Sequence, residues 1–589
     1  MTGRRIRQGL SGQTSGRWPT DDLQLATIYS PSRHDPVVRA ASTVVGGPAG
    51  RRLASATGFW RAAPVLVLLA AAMLSFGIVQ KEHCRAQGWS SPDQFWHACY
   101  TDIPVLYGSS SLGAQDRPGL IDSLGQGGLG QPPLAGALMW ITSAFVPDSD
   151  PEATRHFFDL SAVLLTMVLA VAVTAVALTL GRRSWDAAHL ALSPVLITAG
   201  LISYELLAVA FVAAALLALA RGRPLIGGLL LGLGVASAPQ VAVVGLVVAL
   251  LAGRYLRIGA GGIGAGGVSA DGVSADGIGA GGVKAGGISA AGIGATFAGS
   301  ALGCWLIIRV LLLPGLTGEL GAAWKGWVDG VPGYGSIWLV PQLLGASEPD
   351  PANSLGGRTL QLLFGWLFKV GPVSGTAASV LSLLLLALLV VAILRFTLIA
   401  DSATDPSLDE PHFDGPHFDG RLFDETPYGE PPADQVLDVR EPVDRAPGSL
   451  PSAQLGPARF VTEKVAPLSL ALLAAVLLSA KSLPIQASLL LLPLIALSGL
   501  RWRDHLIWAG TELVYFVGIW LYIAGETTPN RGLPSVFYLI LLAARLAGIA
   551  WIGVQGVLVY RSPSEVEVAE SAVDNLGSDR PVVDRFLPS

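Results

Sequence analysis

From residue 186 to residue 253 the sequence is almost unbroken hydrocarbon, punctuated at Arg221 and Arg223 and more softly at Ser203 and Pro239. A span needs about 20 largely apolar residues to cross roughly 30 Å of bilayer core. A tract this long must therefore cross several times, and it reads as four short helices at 186–202, 204–220, 224–238 and 239–253. Eight further runs, at 62–80, 157–181, 294–314, 377–400, 464–481, 485–500, 505–525 and 535–560, bring the expected number of spans to twelve. The composition agrees: of 589 residues 51% are hydrophobic and only 14% charged, with mean hydropathy +0.54. A soluble domain carries about 25% charged residues, so a soluble enzyme is excluded. With a net charge of −5 and no basic stripe, nothing points to nucleic acid. The fold class expected is all-α, a polytopic helical bundle.

Orientation follows from Arg in short loops. Residues 1–61 contain nine Arg and no Lys. With that end inside, Arg182/Arg183, Arg221/Arg223, Arg254/Arg257 and Arg501/Arg503 all fall inside, as does Arg561. Both termini are then cytoplasmic, in a multi-pass protein of the plasma membrane. The count requires that 133–147, too short to span, lies as a re-entrant or interfacial helix on the outer side.

The spans divide the chain. Residues 1–58 form an N-terminal tail with no apolar run, expected to be disordered and not a signal peptide. Residues 59–257 form an N-terminal membrane core with an outer loop at 82–156. Residues 258–296 are a Gly-rich inner loop, in which the unit Gly-[Ile/Val]-x-Ala-x occurs seven times from 262. A flexible loop grown by repeat expansion explains this run better than a pentapeptide β-helix does. Residues 297–400 hold middle spans around an outer loop at 315–376, and 463–560 hold four C-terminal spans. Residues 401–462 are an acidic, Pro-rich linker, where His412 and His417 of a duplicated motif belong to a disordered segment rather than a metal site. Residues 561–589 form a second disordered tail. Trp89, Trp96, Trp324, Trp327, Trp338 and Trp366 suit outer loops resting at the membrane interface.

No P-loop, His-Glu-x-x-His or Cys-x-x-Cys occurs. Asp148-Ser149-Asp150 spells an Asp-x-Asp motif, but between Pro147 and Pro151 it reads as an acidic turn. The informative residues are ionisable groups near membrane depth, since a charge at a helix centre costs about 2.5–3.5 kcal/mol and therefore faces a polar cavity. The topology places Asp102, Glu205, Arg309 and Lys481 near the outer face. Two carboxylates and two cations at one depth suit a lipid phosphate with a carboxylate base beside it. Lys481 alone fits interfacial snorkelling equally well. Glu512 and Arg545, inside the last two spans, are expected to pair structurally. Cys84 and Cys99 lie in the first outer loop, where a disulfide would contribute about 3 kcal/mol by the chain-entropy model and fix the approach to Asp102.

The run Cys84-Arg85, then Cys99-Tyr100-Thr101-Asp102-Ile103-Pro104, resembles the first outer loop of actinobacterial integral-membrane glycosyltransferases of the GT-C type. Within these it is most similar to glycosyltransferase family 87, the polyprenyl-phosphate-mannose-dependent mannosyltransferases. Ser203 to Ala208, Arg221-Gly222-Arg223-Pro224, Gly228 to Gly234, Gly335-Ser336-Ile337-Trp338, Arg501 to Asp504 and Glu512 to Phe516 extend the likeness. The resemblance implies an outward-facing enzyme that moves a hexose, mannose above all, from a polyprenyl-phosphate carrier to an envelope glycan or glycolipid. Asp102 would be the base, and Glu205, Arg309, Lys481 and Gln486 would bind substrate. It implies no nucleotide and no cofactor beyond the lipid-linked sugar, and it does not set a metal requirement. No feature of the sequence sets an oligomeric state.

The chain departs from the family pattern at several points. Glu205 stands where Asp is common, Gly130-Gln131-Pro132 lacks the acid before Tyr-Pro, Ser237-Ala238-Pro239-Gln240 replaces a Lys-x-Tyr-Pro-like run, and Ala480 to Ala487 carries Lys481 and Gln486 without the flanking Asn and Tyr. These changes keep a second reading open: a catalytically degenerate relative that binds lipid-linked sugar or scaffolds envelope assembly. A third reading, a transporter or flippase, is weakened because no repeated half with paired broken helices is visible.

Overall fold

The computed structural model describes residues 59–113, 117–125, 131–147, 150–261, 290–312, 324–346, 372–399, 457–528 and 531–561, with Val37, Ala40 and Leu129 as isolated positions. Every regular element among them is helical. Nearly all of the N-terminal tail, the Gly-rich repeat from 262 to 289, the acidic linker to residue 456 with His412 and His417, and the C-terminal tail from 562 lie outside the described residues, as do Trp366, Asp148 and Ser149.

The main helices are α1 Phe59–Gln80, α2 Asp102–Ser109, α3 Pro133–Ser143, α4 Ala153–Leu180, α5 Glu205–Ala220, α6 Pro224–Ser237, α7 Ala242–Gly261, α8 Ala290–Leu312, α9 Gly375–Leu394, α10 Ala466–Ser479, α11 Leu492–Ser498, α12 Trp502–Thr527 and α13 Ser535–Arg561. Seven apolar helices among the described residues are long enough to cross a bilayer: 62–80, 153–180, 292–311, 375–397, 457–479, 502–527 and 535–561. Their outer faces stay apolar where no protein covers them, as at Leu68, Phe76, Met167, Ile307, Leu388, Val514 and Ile540. So much exposed apolar side chain on long helices marks a lipid-facing surface.

The structure gives seven such helices where the sequence predicts twelve spans. Helices α5 and α6 have 16 and 14 residues, which at 1.5 Å per residue is about 24 and 21 Å, short of the bilayer core. The stretch 133–147, expected not to span, forms the 11-residue α3. Two expected spans are interrupted. Between 186 and 202 the chain makes a 3-10 turn and two short helices, Ala188–Ala191 and Val195–Ala199, with Pro194 capping the second. Between 485 and 500 it makes a 3-10 helix, Ile485–Leu491, and then α11, with Pro484 and Pro493 at the two starts. Proline lacks the N–H a continuing helix needs, and open backbone is tolerated at membrane depth where protein covers it. Both segments are buried along almost their whole length, and they pack on one another at the centre of the molecule. The sequence also places the end of the acidic linker too late. Helical structure begins at Pro457, because Val461 and Val465 are fully buried.

Around this centre the helices pack in pairs: α1 on α4, α4 on α5, α5 on α6, α6 on α8, α9 and α13 on α10, and α12 on α13. The α6–α8 contact is close because α6 carries glycine at its seam. A Cβ on Gly228 would sit 1.9 Å from Ser300 Oγ, and one on Gly232 2.6 Å from the Ala301 carbonyl oxygen. Small residues at four-residue spacing let two backbones approach in this way.

Candidate active site

Three chain points converge at one end of the bundle: the start of α2, the start of α5, and the turn after α10. Thr101 joins the first two. Its Oγ1 donates to the carbonyls of Leu201 at 2.6 Å and Ile202 at 3.0 Å, and the Asp102 N–H donates to the Ile202 carbonyl at 2.8 Å. Thr101 also caps α2, accepting from the Ile103 N–H at 3.4 Å. One threonine thus ends the first loop and docks it on the interrupted segment leading to Glu205.

Asp102 is partly buried, with both carboxylate oxygens engaged. Tyr100 Oη donates to Oδ1 at 2.7 Å and Gln486 Nε2 donates to Oδ2 at 3.3 Å. Burial pushes the Asp102 carboxyl above the ordinary aspartate range, and the Tyr100 hydroxyl opposes that rise. Glu205 is near enough to interact electrostatically with Asp102. It stands in the first turn of α5, where the helix dipole favours a negative charge, and accepts from the Ser203 hydroxyl. Tyr204, between them, is buried with Oη 2.7 Å from Ser161 Oγ of α4. The result is two carboxylates, each at the start of its own helix, held by a tyrosine, a serine and a glutamine.

The loop bearing Asp102 is fastened independently. Cys84 and Cys99 form a disulfide with 5.8 Å between Cα atoms. Arg85 makes a two-pronged ion pair with Asp159 of α4, Nε to Oδ1 at 2.7 Å and Nη2 to Oδ2 at 2.8 Å. Phe95 stacks on Trp520 of α12 at 5.8 Å between ring centroids, and Tyr100 packs against the same ring, tilted, at 4.7 Å.

Among the described residues no hydrogen bond joins Lys481 or Arg309 to this pair. Lys481 Nζ is held by the carbonyls of Trp327 (2.5 Å), Val328 (3.3 Å) and Gly375 (3.0 Å) and by Ser379 Oγ (2.9 Å). It lies 5.3 Å from the centroid of the Trp327 ring. Its geometry is that of an anchor binding the segment 324–329 to the start of α9. Arg309, near the end of α8, is partly buried, and its Nε has no hydrogen-bond partner among the described residues. Asp150 of the acidic turn accepts from the Glu152 N–H at 2.9 Å and pairs with His156, a local cap.

Two features escape the sequence reading. Lys81, one residue beyond α1, is fully buried, donating to Gln80 Oε1 at 3.0 Å and lying 5.6 Å from the centroid of the Phe516 ring. Burial lowers its ammonium to about 7. Its place at the edge of an apolar run gives no sign of this burial. The second is the clamp behind Gln486. Arg545, fully buried, donates from Nε to Glu512 Oε2 at 3.0 Å, from Nη1 to the Leu483 carbonyl at 2.6 Å and from Nη2 to the Pro484 carbonyl at 3.0 Å. The expected Glu512–Arg545 pair therefore also sets the turn that presents Gln486. Gly335 fits against the same turn with φ +79°, where a Cβ would lie 2.1 Å from the Leu483 carbonyl oxygen.

Residues 131–279 match the family model for glycosyltransferase family 87. The match covers about a quarter of the chain and includes Glu205, the interrupted segment before it and helices α3 to α7. No curated protein and no solved structure gives a significant match. The seven long apolar helices describe a multi-pass membrane protein, and the matched quarter of it is similar to that glycosyltransferase family.

Proposed function

We propose that the chain transfers a hexose, mannose in the first instance, from a polyprenyl-phosphate carrier to an envelope glycan or glycolipid. The reaction takes place at the outer face of the plasma membrane, with both termini cytoplasmic and the bundle of the GT-C type. The observation that carries this reading is Asp102: a partly buried carboxylate, oriented through both oxygens, beside a second carboxylate at a helix start. A general base needs a fixed geometry and a pKa closer to the working pH than a solvated aspartate has. In the step proposed, the acceptor hydroxyl gives its proton to Asp102 as its oxygen bonds to the anomeric carbon. The bond from that carbon to the phosphate oxygen breaks, and polyprenyl phosphate leaves. Glu205, held by Ser203, orients the sugar or acceptor hydroxyls, and Gln486 holds Asp102 and reaches substrate. Arg309 is the cation best left available for the phosphate, since Lys481 is committed to protein acceptors.

That commitment of Lys481 favours a second reading, a relative that binds the lipid-linked sugar without turning it over. Membranes containing the protein, supplied with radiolabelled polyprenyl-phosphate-mannose, separate the two. Transfer by the wild type that falls by about 10²–10⁴ in Asp102→Asn at equal expression supports the enzyme and its base. Full transfer by Asp102→Asn overturns the assignment of the base. Saturable binding without transfer across a panel of sugars and acceptors favours the second reading.

A further inference from the structure

The first loop contains a second cluster of chemically able side chains that the transfer reading does not use. His83 stands in the short helix Glu82–Gln87, while Asp93 opens the next helix and His97 caps its end. Asp93 and His97 are four residues apart, which sets their side chains on one helical face. The Cys84–Cys99 disulfide brings the two segments together, with one half-cystine adjacent to His83 and the other two residues beyond His97. The three side chains close on one another. His83 Nε2 lies 2.7 Å from Asp93 Oδ2, His97 Nδ1 lies 3.2 Å from Asp93 Oδ1, and the imidazoles stack at 3.5 Å between centroids. One donor atom from each lies within 4.8 Å of the other two.

We propose that His83, Asp93 and His97 form a binding site for a first-row divalent metal of the zinc class. Two imidazoles and one carboxylate are ligands that such ions take, with bonds of about 2.0–2.2 Å. Bonds of that length in a tetrahedron place neighbouring donor atoms about 3.3 Å apart. The observed 2.7 and 3.2 Å, one to each Asp93 oxygen, are close to that spacing, and turning the stacked imidazoles about their side-chain torsions, with His97 Nδ1 leaving the Asp93 carbonyl at 3.1 Å, would aim both rings at one ion. The side chains retain 38%, 34% and 46% exposure, which gives the ion a path in and leaves the fourth position to water. The surrounding structure is suited to holding the ion. The disulfide and the Arg85–Asp159 pair fix the loop before metal arrives, so little ordering entropy opposes binding. The bound ion would cross-link the segment at 83 to the segment at 93–97, the part of the loop that leads into Tyr100 and Asp102. The site stands whether or not Asp102 acts as a base.

The test uses the full chain purified in detergent, stripped with chelator and titrated with Co²⁺ and then Zn²⁺. The expected result is one equivalent of Co²⁺ with tetrahedral ligand-field absorption, bleached by one equivalent of Zn²⁺. Affinity should fall by at least tenfold in His83→Ala and in His97→Ala, and the spectrum should be absent in the double variant. Thermal melting in chelator and the mass of the intact disulfide confirm that the variants are folded. A metal-free wild type, or a spectrum and stoichiometry unchanged in the folded double variant, overturns the site.

Discussion

Gln486 donates to Oδ2 of Asp102 at 3.3 Å although 384 residues separate them in sequence. Tyr100, only two residues from Asp102, holds the other oxygen at 2.7 Å. The carboxylate is oriented from both ends of the polypeptide, and its ionisation is set by opposing effects, burial raising it and the tyrosine hydroxyl lowering it. In the transfer proposed above Asp102 must be ionised to act as base, so activity should fall on acidification at a pH above the ordinary aspartate range. Tyr100→Phe removes the lowering contribution and should move that acid limb to still higher pH, with a loss of about tenfold or less in rate at neutral pH. A pH–rate profile of both proteins checks the direction. A limb that moves to lower pH, or stays in place, contradicts the role given to Tyr100.

The same shift has a consequence for stability. A carboxyl whose folded pKa is raised favours the fold while protonated, and that benefit is lost as pH rises through the folded value. At neutral pH the charged Asp102 therefore costs stability, and Asp102→Asn should melt no lower than the wild type while losing transfer. A large drop in melting temperature would show Asp102 to be structural.

Lys81 provides a pH test away from the proposed chemistry. Its ammonium is lowered from 10.5 to about 7 by burial. Between those values the unfolded chain binds the proton and the folded chain does not, so stability should rise with pH from about 7 towards 10. Below the folded value the full penalty applies, with an upper bound of roughly 5 kcal/mol at 1.36 kcal/mol per unit. Lys81→Met should raise the melting temperature at pH 7 and flatten its rise at higher pH. A variant that melts lower at every pH would show that the contact with Gln80 and the Phe516 ring outweighs the burial of charge.

The clamp behind Gln486 predicts a non-additive pair. Arg545→Met strands the buried Glu512 carboxylate, and breaking a buried pair on one side costs about 3–5 kcal/mol. Arg545→Met combined with Glu512→Gln should recover part of that loss. Gly335→Ala, at a positive φ and with Leu483 in the way, should cost about 1–3 kcal/mol from backbone strain alone. Thermal melts in detergent measure all three, and an Arg545→Met protein as stable as the wild type would contradict the clamp.

The sequence reveals the long helices because length and hydropathy act locally, and α1, α4, α12 and α13 begin and end within a few residues of where their apolar runs do. It does not reveal the interruptions at Pro194 and Pro484. An apolar average treats a broken buried segment like a continuous span, and only the protein packed around it makes the break tolerable. Asp102 and Glu205 are legible as carboxylates near the outer face, one in the first outer loop and one at the turn between two apolar runs, but not as neighbours. Lys481 is legible as a charge, but its acceptors are mostly main-chain carbonyls, which have no signature in sequence. The Asp93–His97 spacing is visible in the chain, whereas its third member depends on a disulfide fold-back.

The disulfide-bounded loop emerges early in synthesis, but its partners do not. Trp96 donates to the Arg531 carbonyl at 3.0 Å across 435 residues, and Trp520 supplies the ring on which Tyr100 packs. A growing chain can insert its first helices and oxidise Cys84 and Cys99 long before the turn at Gln486 leaves the ribosome. Until then Asp102 has Tyr100 and Thr101 but lacks the amide that fixes its second oxygen. A translation product cut short before Gln486 would therefore hold the Asp102 carboxylate through one oxygen alone.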